Sequence, residues 1–223
     1  GASVPVVANS ILDSSSFLNH GTAQVVGGTM EFVPGHTGAG IGFTSGNENQ
    51  INIAPSASLD NLSAISISLW VNAYSLPTVD GMPLLTKFSQ LAGGFSWTFE
   101  ILPSGAPQFI AGFGNSTDLK AGATTSVPLN NWQHIAVTWD GTANSNGVVF
   151  YVDGVVAAND LGAAKEPVGA RVTDANAALA IGSFIPRLTN SLNGALDEVY
   201  LFGRVLTKEE IMALRTHGQI GLK

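Results

Sequence analysis

Residues 131–158, NWQHIAVTWDGTANSNGVVFYVDGVVAA, constrain the fold more than any other stretch. Two apolar runs, Ile135–Trp139 and Val148–Val152, are separated by a loop of small and polar residues, Gly141–Gly147. A third run, Val155–Ala158, follows directly after Asp153-Gly154. Asp-Gly supplies the positive-φ conformers that a two-residue hairpin turn demands. The stretch therefore predicts three consecutive antiparallel strands and sets both their direction and their order.

Other segments follow the same period of two. In residues 64–71 (AISISLWV), Ile65, Ile67, Leu69 and Val71 point one way and Ser66, Ser68 and Trp70 the other, the pattern of a half-buried strand. Residues 95–101 place Phe95, Trp97, Phe99 and Ile101 on one face. Residues 4–12 form a first apolar run, and residues 23–33 predict a short hairpin bent at Gly27-Gly28. Shorter strands are expected near residues 41–43, 51–53, 84–86, 108–113 and 179–182, with a last one over Gly194–Phe202. Thr207-Lys208-Glu209-Glu210 then reads as a capping box, with Thr207 as N-cap and Glu210 returning a bond to its backbone N–H. The helix it opens, Lys208–Arg215, carries Ile211, Met212 and Leu214 for docking and has Gly218 as its stop. Short strands joined by polar loops, with one terminal helix, predict an all-β, two-sheet antiparallel sandwich. The 223 residues suit one such domain over 1–223 and show no repeat.

Composition narrows the classes of partner. Charged residues are 11% of the chain, against the usual quarter, so small polar residues fill the surface. That suits long loops on a β scaffold in an extracellular, cell-surface or virion setting. A net charge of −7 with no basic patch excludes nucleic acid. No stretch has the length and apolarity of a membrane span. The absence of cysteine excludes disulfides and thiolate metal sites.

Several motifs, in order along the chain, resemble those of laminin G-like, concanavalin A-like jelly-roll domains. Asn131-Trp132-Gln133-His134-Ile135-Ala136-Val137-Thr138 is similar to their W-x-H-[IV]-A-x-[TS] strand, and Tyr151-Val152-Asp153-Gly154 to their Y-V-D-G hairpin. Ser66-Ile67-Ser68-Leu69-Trp70-Val71 resembles their T-I-S-x-W-V strand. Leu192–Val199 followed by Leu206–Ile211 resembles their F-x-G-x-I-D-E-V … L-S-x-E-E-I ending. Asp13-Ser14-Ser15 with Asn19-His20-Gly21 resembles the opening D-x-S-G-N-x-x-x-G, with Ser16 and Phe17 replacing its Gly and Asn. The resemblance implies a jelly roll of two antiparallel sheets with a short C-terminal helix. It also implies a lectin-like, adhesive or carbohydrate-binding role, often with a structural calcium ion, in a larger multidomain protein or assembly.

Hard cations take several oxygen ligands. Asp13 follows the first strand and Asp197 lies on the last, and terminal strands of a jelly roll can run side by side. Asn19 supplies the nearest side-chain oxygen of the opening motif. Asp13, Asn19 and Asp197 are therefore the expected calcium ligands, set against a plain reading in which both aspartates only bond backbone groups. Sugar recognition needs an aromatic face and polar partners for hydroxyls. Trp97 and Trp139 share faces with apolar residues and read as core, and Trp132 as packing. Trp70 shares its face with serines and is the candidate platform unless a loop or the helix covers it. Asp80, Asn115, Asp118, Asn144 and Asn146 sit in long loops that can form one rim, although polar loops are ordinarily just solvated.

An enzyme is the third possibility. Glycosidases of this fold need a carboxylate pair flanking the scissile bond. The E-x-D-x-x-E strand of the β-glucan-hydrolysing branch is absent, as are the Q-[IV]-H and Y-x-K-x-G-x-Y strands of the fold's lyases. Asp197-Glu198 are adjacent on a strand and are expected to face opposite sides. The reading is a non-catalytic extracellular module that binds carbohydrate. The alternative is a structural or adhesive module without a sugar ligand.

Overall fold

The computed structural model describes residues 4–6, 11–26, 29–44, 49–89, 94–114, 118–160, 165–183 and 191–218. Among them the strands, in chain order, are β1 (Val4–Pro5), β2 (Gly21–Gln24), β3 (Met30–Pro34), β4 (Ala39–Phe43), β5 (Gln50–Ile53), β6 (Ile65–Ala73), β7 (Met82–Ser89), β8 (Gly94–Ile101), β9 (Pro107–Ala111), β10 (Leu119–Gly122), β11 (Gln133–Trp139), β12 (Val148–Val152), β13 (Val155–Ala157), β14 (Leu179–Ile181) and β15 (Gly194–Phe202). One helix, α1 (Lys208–His217), follows. The eight-stranded sheet runs β1-β3-β4-β15-β6-β11-β12-β13 and the seven-stranded sheet β10-β9-β8-β7-β14-β5-β2. This is the two-sheet jelly-roll sandwich expected from the motifs, with its short C-terminal helix. Among the described residues, no helix is long and apolar enough to cross a membrane.

The hairpins that opened the sequence reading form as predicted. β11, β12 and β13 are neighbours, with Ile135 opposite Val152 and Tyr151 opposite Val156. Asp153 (φ 50°) and Gly154 (φ 75°) both take the left-handed conformation of a tight hairpin turn. The core lies between the sheets. Ile65, Ile67, Leu69 and Val71 of β6 meet Trp97, Phe99 and Ile101 of β8, with Trp139 packed against Phe109. Each such side chain contributes roughly 1.5–3 kcal/mol by leaving water.

One expectation of the sequence is corrected here. β2 and β3 do not form a hairpin. β2 pairs with β5 in one sheet and β3 with β4 in the other, so the chain between them passes from sheet to sheet. Gly27-Gly28 lie outside the described residues. Of the first apolar run, Val4 and Pro5 form β1, at the sheet edge where the missing Pro5 N–H costs no ladder bond, and residues 7–10 lie outside the described residues.

One buried charge cluster was not anticipated. Lys87 on β7 is fully buried, and its Nζ donates to the Leu59 carbonyl (2.8 Å) and to Asp60 (2.7 Å), with Asp174 at 3.8 Å. The Trp97 Nε1–H donates to Asp174 (3.2 Å), and the Arg171 guanidinium lies 4.6 Å from the centre of the Trp139 ring. Buried charges need such partners. Here they pin the 59–62 loop and the 171–174 segment onto the end of the sandwich.

α1 is capped as predicted. Thr207 accepts from the Glu210 N–H and Glu210 from the Thr207 N–H, and Gly218 (φ 63°) ends the helix. It runs two residues past Arg215. Ile211 and Leu214 are buried against Ala136, Tyr151 and Leu206 on the outer face of the eight-stranded sheet. The Met212 sulfur lies where a side chain at Gly154 would begin, so the hairpin turn also seats the helix.

Candidate functional site

The sandwich has two outer faces, and the predicted residues divide between them. Trp70 is on the outer face of the eight-stranded sheet, as its alternation required. It is not an open platform, because only 7% of it is exposed. The His36 ring stacks on the indole at 3.4 Å and 8°, and His134 meets it edge-on at 5.4 Å. His36 arrives on the β3–β4 turn, whose Thr37 N–H donates to the Asp197 carboxylate (2.9 Å). Gly35 permits that approach, since a Cβ there would lie 2.4 Å from the same carboxylate. Asp197 is opposite Trp70 in the sheet, so two residues assigned to separate sites are neighbours. His134 is buried with its Nε2 2.9 Å from the Ser68 hydroxyl, and burial lowers its pKa to about 4, leaving it neutral.

The expectation that Asp197 and Glu198 face opposite sides is also corrected. The pairing of β15 with β6 shifts between Asp197 and Tyr200, and Glu198 takes φ 49°. This β-bulge turns Glu198 to the outer side. There the Tyr200 hydroxyl sits between the Glu198 carboxylate and the Gly218 carbonyl at the end of α1. Burial and the Glu198 carboxylate raise the Tyr200 pKa well above its ordinary value.

The three expected calcium ligands do not converge. The Asp13 carboxylate accepts from the Ser15 N–H (2.8 Å), the Ser15 hydroxyl (2.7 Å) and the Asn19 N–H (2.7 Å). Burial pushes its pKa up, but these bonds outweigh that and hold it below the usual value. The Asn19 carbonyl accepts from Ser56 (2.7 Å) and Ser58 (3.3 Å). Asp13 follows Ile11, which bridges to Gly21 at the edge of the seven-stranded sheet, whereas Asp197 lies inside the eight-stranded one. Asp13 and Asn19 thus meet each other and not Asp197, and their oxygens already have donors. Among the described residues, no three His, Cys, Asp or Glu side chains are grouped so as to hold a metal ion.

The loop candidates do not share one rim. Asp80 (φ 48°) stands before β7, near the Glu100 end of the seven-stranded sheet, and Asp118 precedes β10, at the Trp97 end. Asn144 caps the 3-10 turn Ser145–Gly147, its Oδ1 accepting from the Asn146 N–H (2.8 Å). Both side chains are exposed. Asn115 lies outside the described residues.

The outer face of the seven-stranded sheet carries a set of residues that the sequence reading missed. Thr22, Asn52, Ala180, Thr86, Thr98, Ile110 and Lys120 are successive partners across all seven strands. A second row holds Gln24 opposite Gln50 on one side and Glu100 opposite Gln108 on the other. The Thr86 and Thr98 hydroxyls are 2.7 Å apart, and Gln50 Nε2 donates to Gln24 Oε1 (2.6 Å). The Glu100 carboxyl lies over Gly81, where a Cβ would meet it at 2.1 Å. Thr22, Gln24, Asn52 and Lys120 are half-buried and are the polar groups of this face that solvent reaches, whereas Gln50, Thr86, Thr98, Glu100 and Gln108 are buried. Each strand shows its share by alternation, but the strand order that aligns them is a product of folding.

The comparisons with known proteins agree with this fold. A laminin G-type family model, described as the concanavalin A-like lectin/glucanases superfamily, matches residues 45–212. No curated protein matches the chain in sequence. Domain 4 of an extracellular GH43 arabinanase from Geobacillus stearothermophilus, solved with arabinotriose, is similar in structure. Its TM-score is 0.69 at 19% identity, over 97% of this chain and 100% of that one. A heptameric SAP-like pentraxin from Limulus polyphemus matches with TM-score 0.55 at 11% identity, over 78% and 79%. A botulinum neurotoxin type C structure, described by a dependence of cell entry on two ganglioside molecules, has TM-score 0.65 at 16% identity. This chain is 98% covered there and spans 52% of that one. At these identities the likeness is one of fold.

Proposed function

The chain belongs to the concanavalin A-like lectin/glucanases superfamily, and from that premise we propose that it is a non-catalytic, extracellular carbohydrate-binding module whose ligand lies on the outer face of the seven-stranded sheet. The observation that carries the proposal is the pair of polar rows there, Thr22–Asn52–Thr86–Thr98 and Gln24–Gln50 with Glu100–Gln108. Threonine and amide groups both donate to and accept from sugar hydroxyls, and a carboxylate accepts from them. The arabinanase domain with arabinotriose supports the ligand class. On the opposite sheet, Asp197 and Glu198 are engaged by Thr37 and Tyr200, which supports a binding rather than a hydrolytic role.

Titration calorimetry against neutral and acidic oligosaccharides, with arabinotriose among them, tests the proposal. Saturable binding of a sugar, with no depolymerisation of the parent polysaccharide, is the expected result. Self-association without any glycan signal would replace it with the adhesive-module reading. Calcium enters only through the resemblance, since Asp13, Asn19 and Asp197 do not form a site together. A higher melting temperature in millimolar calcium than in chelator would support an ion held elsewhere, and equal curves would remove it.

A further inference from the structure

Lys87 carries a primary amine that the binding face does not use. It stands on β7 with its side chain fully buried, and its Nζ is 2.7 Å from Asp60 Oδ1. That contact puts the nitrogen about 3.5 Å from the Asp60 carboxyl carbon, the separation of a pair poised to react. The groups around the pair are those that amide formation needs. The Asp174 carboxylate, also fully buried, lies 3.8 Å from Nζ and can carry a proton. The Asn176 N–H donates to the second Asp60 oxygen, Oδ2 (3.4 Å), where negative charge develops if the carboxyl carbon is attacked. The Asn61 N–H and the Trp97 Nε1–H donate to Asp174 and hold it in place, and Arg171 Nη2 lies 3.6 Å from it. The Leu59 carbonyl accepts from Nζ (2.8 Å) and holds the amine beside Asp60.

We propose that Lys87 and Asp60 condense into an intramolecular amide, with Asp174 as the proton carrier. The reaction needs a neutral amine and a neutral acid, and one proton passing from Nζ to Asp60 Oδ1 supplies both. Nζ then attacks the Asp60 carboxyl carbon and the C–N bond forms. Asp174 takes a proton from the nitrogen and returns it to Oδ1, which leaves as water when its C–O bond breaks. Oδ2 remains as the amide carbonyl, facing the Asn176 N–H. The products are one amide and one water, nothing is oxidised or reduced, and no co-reactant is consumed. The Asp60 side chain is 20% exposed, so the water has a way out. Charge favours the product. A buried ion pair keeps two desolvated charges, whereas the amide removes one of each sign and leaves Asp174 with Arg171. The bond joins β7 of the seven-stranded sheet to the loop that leads into β6 of the eight-stranded one. It is a covalent tie between the sheets in a chain that has no cysteine for a disulfide.

Intact-protein mass spectrometry in denaturing solvent tests the proposal on the purified, folded chain. The wild type should weigh one water less than its sequence, and tandem fragmentation of a digest should find the Lys87 and Asp60 peptides joined. Asp60→Ala should have its full sequence mass and give the two peptides separately. Asp174→Asn, which keeps the shape of the side chain, should leave a full-mass fraction where the wild type has none. Full sequence mass in the wild type after prolonged incubation overturns the inference and leaves Lys87 and Asp60 as an ion pair only. Loss of water that persists in Asp60→Ala belongs to the succinimide of an Asp-Gly step such as Asp153-Gly154, and overturns it as well. Complete linkage in Asp174→Asn removes Asp174 from the reaction. Glycan binding is a separate measurement, and its presence or absence leaves this mass unchanged.

Discussion

The outer faces of the two sheets have the same backbone geometry and opposite fates. That of the eight-stranded sheet is closed: α1 packs Ile211 and Leu214 onto Ala136 and Tyr151, and His36 lies flat on Trp70. Asp197 there holds a turn and Ser68 a histidine, while Asn72 Oδ1 and His134 Nδ1 are buried without a partner. The face of the seven-stranded sheet is lined with threonine and amide side chains, and two of its buried acceptors lack partners. The contrast separates stability from recognition within one sandwich. Both faces hold buried polar atoms without a partner, and the difference lies in the helix that covers one of them.

The comparison can be broken by mutations on either side. Ile211→Ala should cost about 2–5 kcal/mol of stability, by opening a cavity under α1. Chemical denaturation should show this with glycan affinity unchanged, and a loss of affinity in the folded variant would mean that the closed face also binds. Acid should act on the same face. The His134 pKa is about 4 in the folded protein against an ordinary 6.5, so the unfolded chain binds the extra proton first. Its contribution is present at neutral pH and is lost as pH falls from about 6.5 to about 4, amounting to about 3 kcal/mol. Denaturation midpoints of the wild type and His134→Gln, measured at pH 7 and pH 4, isolate the effect, and parallel pH profiles would refute it.

On the recognition face, Gln108→Ala should weaken binding about tenfold, near 1.4 kcal/mol, with little change in stability. A drop in melting temperature without loss of binding would move Gln108 to the structural side. The smallest effect belongs to the helix cap. Thr207→Ala removes half of the capping box and should cost about 1 kcal/mol, read as a modest fall in melting temperature, again with no effect on binding.

What could be read from the sequence was what neighbours in the chain decide. The Asp153-Gly154 turn, the alternation of β6 and the Thr207–Glu210 box need only local geometry, and all three stand as expected. The burial of Trp97 and Trp139 followed from their faces. The misreadings share a cause, which is a partner distant in sequence. For Trp70 the sequence allowed for a covering loop, but not for which one, because His36 comes from another hairpin. Lys87 interrupts an apolar run, and only folding brings Asp60 and Asp174 to it. Glu198 was placed by a strict period of two that a bulge breaks without any glycine to announce it. The polar rows escaped notice because β2, β5, β14 and β7 are adjacent in the sheet but not consecutive in the chain.

The position of β15 has a consequence for how the protein is made. β15 lies between β4 and β6, so the last of the described strands in chain order fills the middle of the eight-stranded sheet. Until it arrives, β4 and β6 are two open edges rather than neighbours of a common strand, and Ile41 and Leu69 belong to separate half-sheets. Vectorial synthesis thus cannot stabilise this sheet piece by piece. The nascent chain carries unpaired, apolar-backed edges for as long as its final segment takes to emerge. Slow closure follows from pairings this far apart in sequence. The open edges of β4 and β6 close only when β15 pairs with both.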